Sequence, residues 1–122
     1  MSEGALRREV IARFGDFFTE RGFRETDYMY DERSFGNEFL LLSGPDLSIR
    51  IVRDRRQVFF ELKDNRADSY RYLEALLDAL CHPPDRFADG LKASGMSAYD
   101  VDMLKSEWPR LTLLVRAPRT ES

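Results

Sequence analysis

Apolar and polar residues alternate along the middle of the chain, between Phe35 and Lys63. A period of two places successive side chains on opposite faces of a β-strand. The pattern predicts strands over 38–43, 47–53 and 57–63, joined by two short turns. Turns this short connect antiparallel neighbours, so a meander is predicted. The positions predicted to face the core helices are Leu47, Ile49, Ile51, Val58, Phe60 and Leu62.

A period of three to four residues flanks the meander on both sides and is typical of amphipathic helices. The N-terminal helix is predicted over 2–21, with Gly22 as a left-handed cap. A strand over 23–30 is predicted to follow it at the edge of the sheet. Beyond Lys63 a helix capped by Asp64 or Asp68 is predicted to run to about Cys81, and a short one is predicted over 85–93. Ser97 is predicted to cap a further helix over 98–108, which Pro109 breaks or restarts. Residues 109–116 are predicted as a helix, although Thr112 and Val115 also suit a strand.

Strands followed by helices indicate an α+β fold, with helices packed on one face of an antiparallel sheet. The sequence therefore predicts an N-terminal helix, an antiparallel meander of three to four strands, and two to four C-terminal helices. The length of 122 residues corresponds to one domain, 1–122. An apolar fraction of 43% is that of a folded globule and argues against disorder.

Cysteine usage and the absence of long apolar runs predict a cytoplasmic protein. Cys81 is the single cysteine, so no internal disulfide can form. Residues 1–8 contain charges and lack the apolar segment of a signal peptide. No apolar run approaches the roughly 18 residues of a membrane span, so no membrane contact is predicted.

The overall charge disfavours nucleic acid as a partner. The formal net charge is −3 and the pI is about 5.2. Residues 64–108 hold nine acids against five bases, so the helical second half is the acidic part. Nucleic-acid binders usually show a strongly basic footprint instead.

The search for catalytic and metal-binding patterns predicts a protein without enzymatic activity, metal or cofactor. Zinc sites need several His or Cys ligands at set spacings, whereas Cys81 and His82 are the only such residues. As neighbours on a helix they would point about 100° apart, which also disfavours a Cys–His nucleophile pair. No phosphate-binding glycine pattern occurs. A carboxylate-based active site stays open, because 22 acids provide many possible pairs.

A group of arginines in the meander is the candidate partner-binding site. It consists of Arg50, Arg53, Arg55, Arg56 and the nearby Phe59. The simplest interpretation is a solvated turn with local salt bridges, including a cross-strand pair between Arg50 and Glu61. The alternatives are an acidic protein partner and single-stranded nucleic acid with Phe59 stacked on bases.

Both faces of the predicted sheet carry large apolar side chains. Val52 and Phe59 lie opposite the predicted core face, and on the strand 38–43 Leu40 and Leu42 lie opposite Phe39 and Leu41. A sheet with helices on one face only usually has a cleaner polar side. Either the C-terminal helices also cover the second face, or that face binds something, such as a protein partner or a second copy.

The segments 34–38 and 47–59 resemble those of small uncharacterised bacterial proteins with a helix, a short meander and a helical tail. Some proteins of that layout are similar to immunity proteins, which neutralise a partner toxin. The resemblance implies a binding protein rather than an enzyme and assigns a role to no residue. The expectation is a non-catalytic protein-binding module of immunity or adaptor type that contacts its partner through the meander.

Overall fold

The protein is an α+β domain in the computed structural model, which describes residues 5–31, 37–54, 57–80 and 96–116. Its elements are α1 (Ala5–Phe14), β1 (Arg24–Asp31), β2 (Asn37–Ser43), β3 (Leu47–Asp54), β4 (Gln57–Asp64), β5 (Arg71–Tyr72), α2 (Leu73–Ala79), α3 (Ala98–Ser106) and α4 (Trp108–Arg116). The predicted order of helix, antiparallel meander and helices is confirmed. The helix predicted over 85–93 lies outside the described residues.

The sheet has five antiparallel strands in the order β1-β2-β3-β4-β5. Sequence reasoning predicted three or four, because β5 is a two-residue strand and too short to show alternation. Leu40, Ile51 and Phe60 are direct neighbours across three strands and face the core. All six positions predicted to face the helices are buried, which confirms the predicted orientation of β3 and β4.

The N-terminal helix is shorter than the predicted span 2–21. It ends at Phe14 because Gly15 adopts a left-handed φ of 55°, which α-helices do not continue through. A 3-10 turn at Thr19–Arg21 follows, and Gly22 caps it with φ 85°, as predicted for the segment's end. The chain therefore turns back early and enters β1 from a compact corner.

An aromatic cluster packs this corner against the C-terminal helix. Trp108 lies 5.4 Å from Phe17 and 5.7 Å from Phe23 between ring centroids, in edge-to-face geometry. Phe14 reaches the sheet at 5.9 Å from Phe60. Edge-to-face pairs add stabilisation beyond burial of their area. The first and last helices are thus joined through aromatic rings, on the same face of the sheet.

The C-terminal helices begin at different residues from some of those predicted. α2 starts at Leu73 rather than near Asp64, and residues 65–70 form a loop instead. Ser97 caps α3 as predicted, since its hydroxyl accepts a hydrogen bond of 3.3 Å from the Asp100 N–H. Residues 109–116 are helix and not strand. Pro109 lies in the first turn of α4, where its missing N–H costs nothing.

Asp64 serves the loop after β4 and does not cap a helix. Its carboxylate accepts hydrogen bonds from the Arg66 backbone N–H at 2.9 Å and from the Arg66 guanidinium at 2.9 Å and 3.1 Å. These bonds lower the pKa of the Asp64 carboxyl from 3.8 to about 2. The charged form is therefore favoured in the folded state.

Asp64→Asn is expected to flatten the acid limb of the stability profile. Because the pKa is lower in the folded state, the wild-type carboxylate stabilises the fold above about pH 4 and loses that contribution as the pH falls towards about 2. Urea midpoints measured across this range test it. Arg66→Ala keeps the backbone donor and should give a smaller effect. An unchanged profile in Asp64→Asn would contradict the assignment.

Candidate functional site

The outer face of the sheet, directed away from the buried core, is partly covered by the loop 65–70. The Ser48 hydroxyl donates to the Asn65 side-chain oxygen at 2.6 Å. The Arg50 guanidinium carbon lies 4.3 Å from the centre of the Tyr70 ring. Burial raises the pKa of the Tyr70 hydroxyl, so the phenol is neutral at physiological pH. The loop covers the end of the outer face that contains Ser48 and Glu61.

The predicted pair between Arg50 and Glu61 is confirmed. The two residues are direct cross-strand neighbours on β3 and β4. The Arg50 Nε and Nη2 atoms donate to the same Glu61 oxygen, Oε1, at 2.8 Å and 2.5 Å. The Glu61 side chain is 9% exposed and that of Arg50 is 41% exposed. The Arg50 guanidinium thus balances a buried carboxylate and still presents part of its surface to solvent.

Arg53 lies on the face opposite to Arg50, because the two are three positions apart on one strand and an odd spacing changes the face. Its Nη2 atom is 2.8 Å from Oε1 of the buried Glu38, on the core side. Arg55 and Arg56 lie outside the described residues. Of the five predicted partner-binding residues, Arg50 and Phe59 therefore lie on the outer face, and Arg53 does not join them.

Glu38 is a buried carboxylate for which sequence reasoning predicted no role. It accepts hydrogen bonds from the Tyr28 hydroxyl at 2.6 Å and from the Leu6 backbone N–H at 3.2 and 3.3 Å, besides the pair with Arg53. The group joins β1, β2 and β3 to the first turn of α1. The signal was present, since Glu38 shares the period of two with Leu40 and Leu42 on the core face.

An apolar row crosses four strands of the outer face, at the end away from the loop 65–70. We define the apolar row as Met29, Phe39, Val52 and Phe59, each the direct cross-strand neighbour of the next. Met29 is 55% exposed and Phe59 is 37% exposed, while Phe39 and Val52 are half-buried. Sequence reasoning placed Val52 and Phe59 on this face and left the face of Phe39 open. It missed Met29, because the register of β1 depends on a bulge between Glu25 and Asp27.

Polar and acidic groups border the apolar row along both strand directions. Asp27 is exposed next to Met29 on β1. Asp54 is exposed at the end of β3 and accepts a hydrogen bond of 3.2 Å from the Asn37 amide. Asp27 and Arg50 therefore lie on one side of the apolar row and Asp54 lies on the other, so each described border contains a carboxylate.

A groove of about 280 Å³ runs along the edge of β4 beside the apolar row. Its walls are Gln57, Val58, Phe59, Phe60, Tyr72, Leu73, Glu74 and Asp100. Within the described ranges, no group of three or more His, Cys, Asp or Glu residues is arranged to hold a metal ion. None of the helices in those ranges is long and apolar enough to span a membrane.

Comparisons of the chain with protein-family models, with curated proteins and with solved structures found no match. The candidate site is therefore argued from its own geometry.

Proposed function

We propose that the protein is a non-catalytic protein-binding module of immunity or adaptor type, and that a partner protein packs on the apolar row. The observation that carries the proposal is the continuity of the row: four apolar side chains are adjacent across four strands, and the two end members are exposed. Single exposed apolar residues are ordinary on soluble proteins, whereas contiguous ones mark contact sites.

The composition of this surface supports a protein partner. Aromatic residues, Met and Arg are enriched in protein interfaces, usually around a core from which water is excluded. Phe59, Met29 and Arg50 supply these types on one face. Because the row lies on hydrogen-bonded strands, its backbone is already ordered, which lowers the entropic cost of binding.

The acidic rim favours protein over nucleic acid as the partner. Asp27 and Asp54 place a carboxylate on each side of the apolar row that contains Phe59. Like charges placed together oppose association. Arg55 and Arg56 stay predicted contact residues.

Phe59→Lys and Met29→Lys are expected to abolish copurification of the native partner. Each substitution places a cation in the contact surface. When the partner binds, this cation would lose its water without gaining a counter-charge. The tagged chain is isolated from its native cell in four forms, namely wild type, the two row variants and a control, and the proteins recovered with each are compared by mass spectrometry. Leu113→Lys is the matched control, because Leu113 is 69% exposed but lies on α4.

The proposal requires a protein that copurifies with wild type and Leu113→Lys and is lost with both row variants. Repeated recovery of the wild-type chain alone would overturn it. So would a partner retained by Phe59→Lys and Met29→Lys, since the interface would then lie elsewhere.

A further inference from the structure

Strand β4 is only partly paired on the side away from β3. The two residues of β5 pair with Glu61 and Leu62. Within the described ranges, no strand pairs with residues 57–60 on that side. Edge strands present N–H and C=O groups that can bond an added strand. The edge of β4 is therefore a template that β5 fills for only two residues.

The groove beside this edge is shaped by the turn from β5 into α2. Tyr72 ends β5, Leu73 begins α2, and Glu74 follows in the first helical turn. These residues form one wall, and residues 57–60 of β4 form the other. An extended segment placed there would continue the line of β5 along β4 and lie between a strand edge and a helix.

The walls of the groove indicate the chemistry of such a segment. Glu74 and Asp100 supply two carboxylates from different helices. Phe59 and Tyr72 are both exposed on the outer-face side, at 37% and 58%. The region 64–108 as a whole carries nine acids against five bases. Charge complementarity requires a basic segment, and the exposed rings favour alternating apolar side chains.

We propose that residues 57–60 of β4 bind an extended basic segment of the partner protein by strand addition. Its backbone pairs with the β4 edge, its basic side chains face Glu74 and Asp100, and its apolar side chains cover Phe59 and Tyr72. This deepens the proposed function and rests on it. A second copy of this chain suits the groove less well, because a twofold contact would bring like acidic groups together.

A short peptide titrated into the purified full-length chain tests the inference. The probe is a hexapeptide of alternating lysine and valine, followed through the amide resonances of the ¹⁵N-labelled protein. Shifts are expected at residues 57–60 and 72–74. The same peptide N-methylated on alternate residues should bind at least about tenfold more weakly when the methyl groups fall on the bonding side, because it loses donors to the edge. A glutamate–valine hexapeptide should not bind.

Glu74→Lys is expected to weaken binding of the lysine–valine peptide about tenfold, because an attraction becomes a repulsion of similar size. Asp78→Lys is the matched control, since Asp78 is exposed one turn later on α2 and does not line the groove. Asp78→Lys should bind within about twofold of wild type, as distant exposed charges are screened by salt.

The inference is overturned if no resonance shifts at low millimolar peptide, or if the shifts are confined to other strands. Equal weakening of peptide binding by Glu74→Lys and Asp78→Lys would also overturn it.

Failure of the two proposals can be told apart. The titration needs no native partner, and Met29→Lys, at the far end of the apolar row, should bind the peptide as wild type does. If the partner is lost with Met29→Lys and neither wild type nor any variant binds the peptide, the proposal for the apolar row stands and the proposal for the β4 edge is overturned.

Discussion

Glu38→Ala is expected to lower the free energy of unfolding by about 3 kcal/mol. The wild-type carboxylate is inaccessible and holds three donors from three parts of the chain: the Tyr28 hydroxyl, the Leu6 N–H and the Arg53 guanidinium. Its removal leaves these donors beside a small cavity. The Arg53 side chain is only 20% exposed, so its charge is poorly compensated by water.

The loss in Glu38→Ala also bears on the candidate site. Glu38 precedes Phe39 in β2, and its contacts connect β1 to β3 directly beneath the apolar row. Without the carboxylate, β1 is held less firmly, and Met29 is displaced relative to Phe39. Reduced hydrogen-exchange protection in β1, compared with β3, is the expected signature.

Urea denaturation measures the change, and Tyr28→Phe provides the graded control. That variant removes one hydroxyl donor and keeps the ring, so a loss of about 1 kcal/mol is expected. A Glu38→Ala variant as stable as wild type would show that the buried charges cost as much as they contribute, a balance known for other buried ion pairs.

Phe14→Ala is expected to be the most destabilising substitution in α1, with a loss of about 4 kcal/mol. The side chain is 5% exposed, and its ring centroid lies 4.7 Å from that of Phe18 and 5.9 Å from that of Phe60. Phe14 is therefore the point at which the last turn of the helix rests on β4. Truncation leaves a cavity between the helix and the sheet that neither element can fill by moving alone.

Ile11→Ala is the matched control for Phe14→Ala. Ile11 belongs to the same helix but is 67% exposed, so its truncation should change stability by less than about 0.5 kcal/mol. Thermal and urea unfolding of both variants give the comparison. Equal losses in the two would contradict the assignment of Phe14 as the contact between α1 and β4.

Ile11 also illustrates a limit of periodicity. Its spacing places Ile11 on one apolar stripe of the first helix with Val10 and Phe14. Val10 and Phe14 are buried, whereas Ile11 is exposed. A helix shows which positions share a stripe, but the width of the stripe that is covered depends on the neighbours it meets. Those neighbours come from β2, β4 and α3, far away in the chain.

The candidate site was predictable in part for the same reason. Val52 and Phe59 lie opposite the core positions of their strands because of local alternation, so their orientation followed from the sequence, whereas the face of Phe39 was set by its pairing with Val52. The pair of Arg50 and Glu61 followed from the short turn, which sets the register of β3 and β4. Met29 and Glu74 depend on a bulge and on where a helix begins, and neither has a local sequence signal strong enough to place it.

Local patterns were sufficient for the α+β order, the meander, the faces of β3 and β4, the cap at Ser97 and the helix restart at Pro109. Each of these depends on residues close in sequence, whose spacing and turn chemistry act over a few positions. The folded chain alone set the early end of α1, the two-residue β5, the buried group around Glu38 and the partial pairing of the β4 edge among the described residues. These features arise where segments distant in sequence compete for the same hydrogen bonds and the same core space.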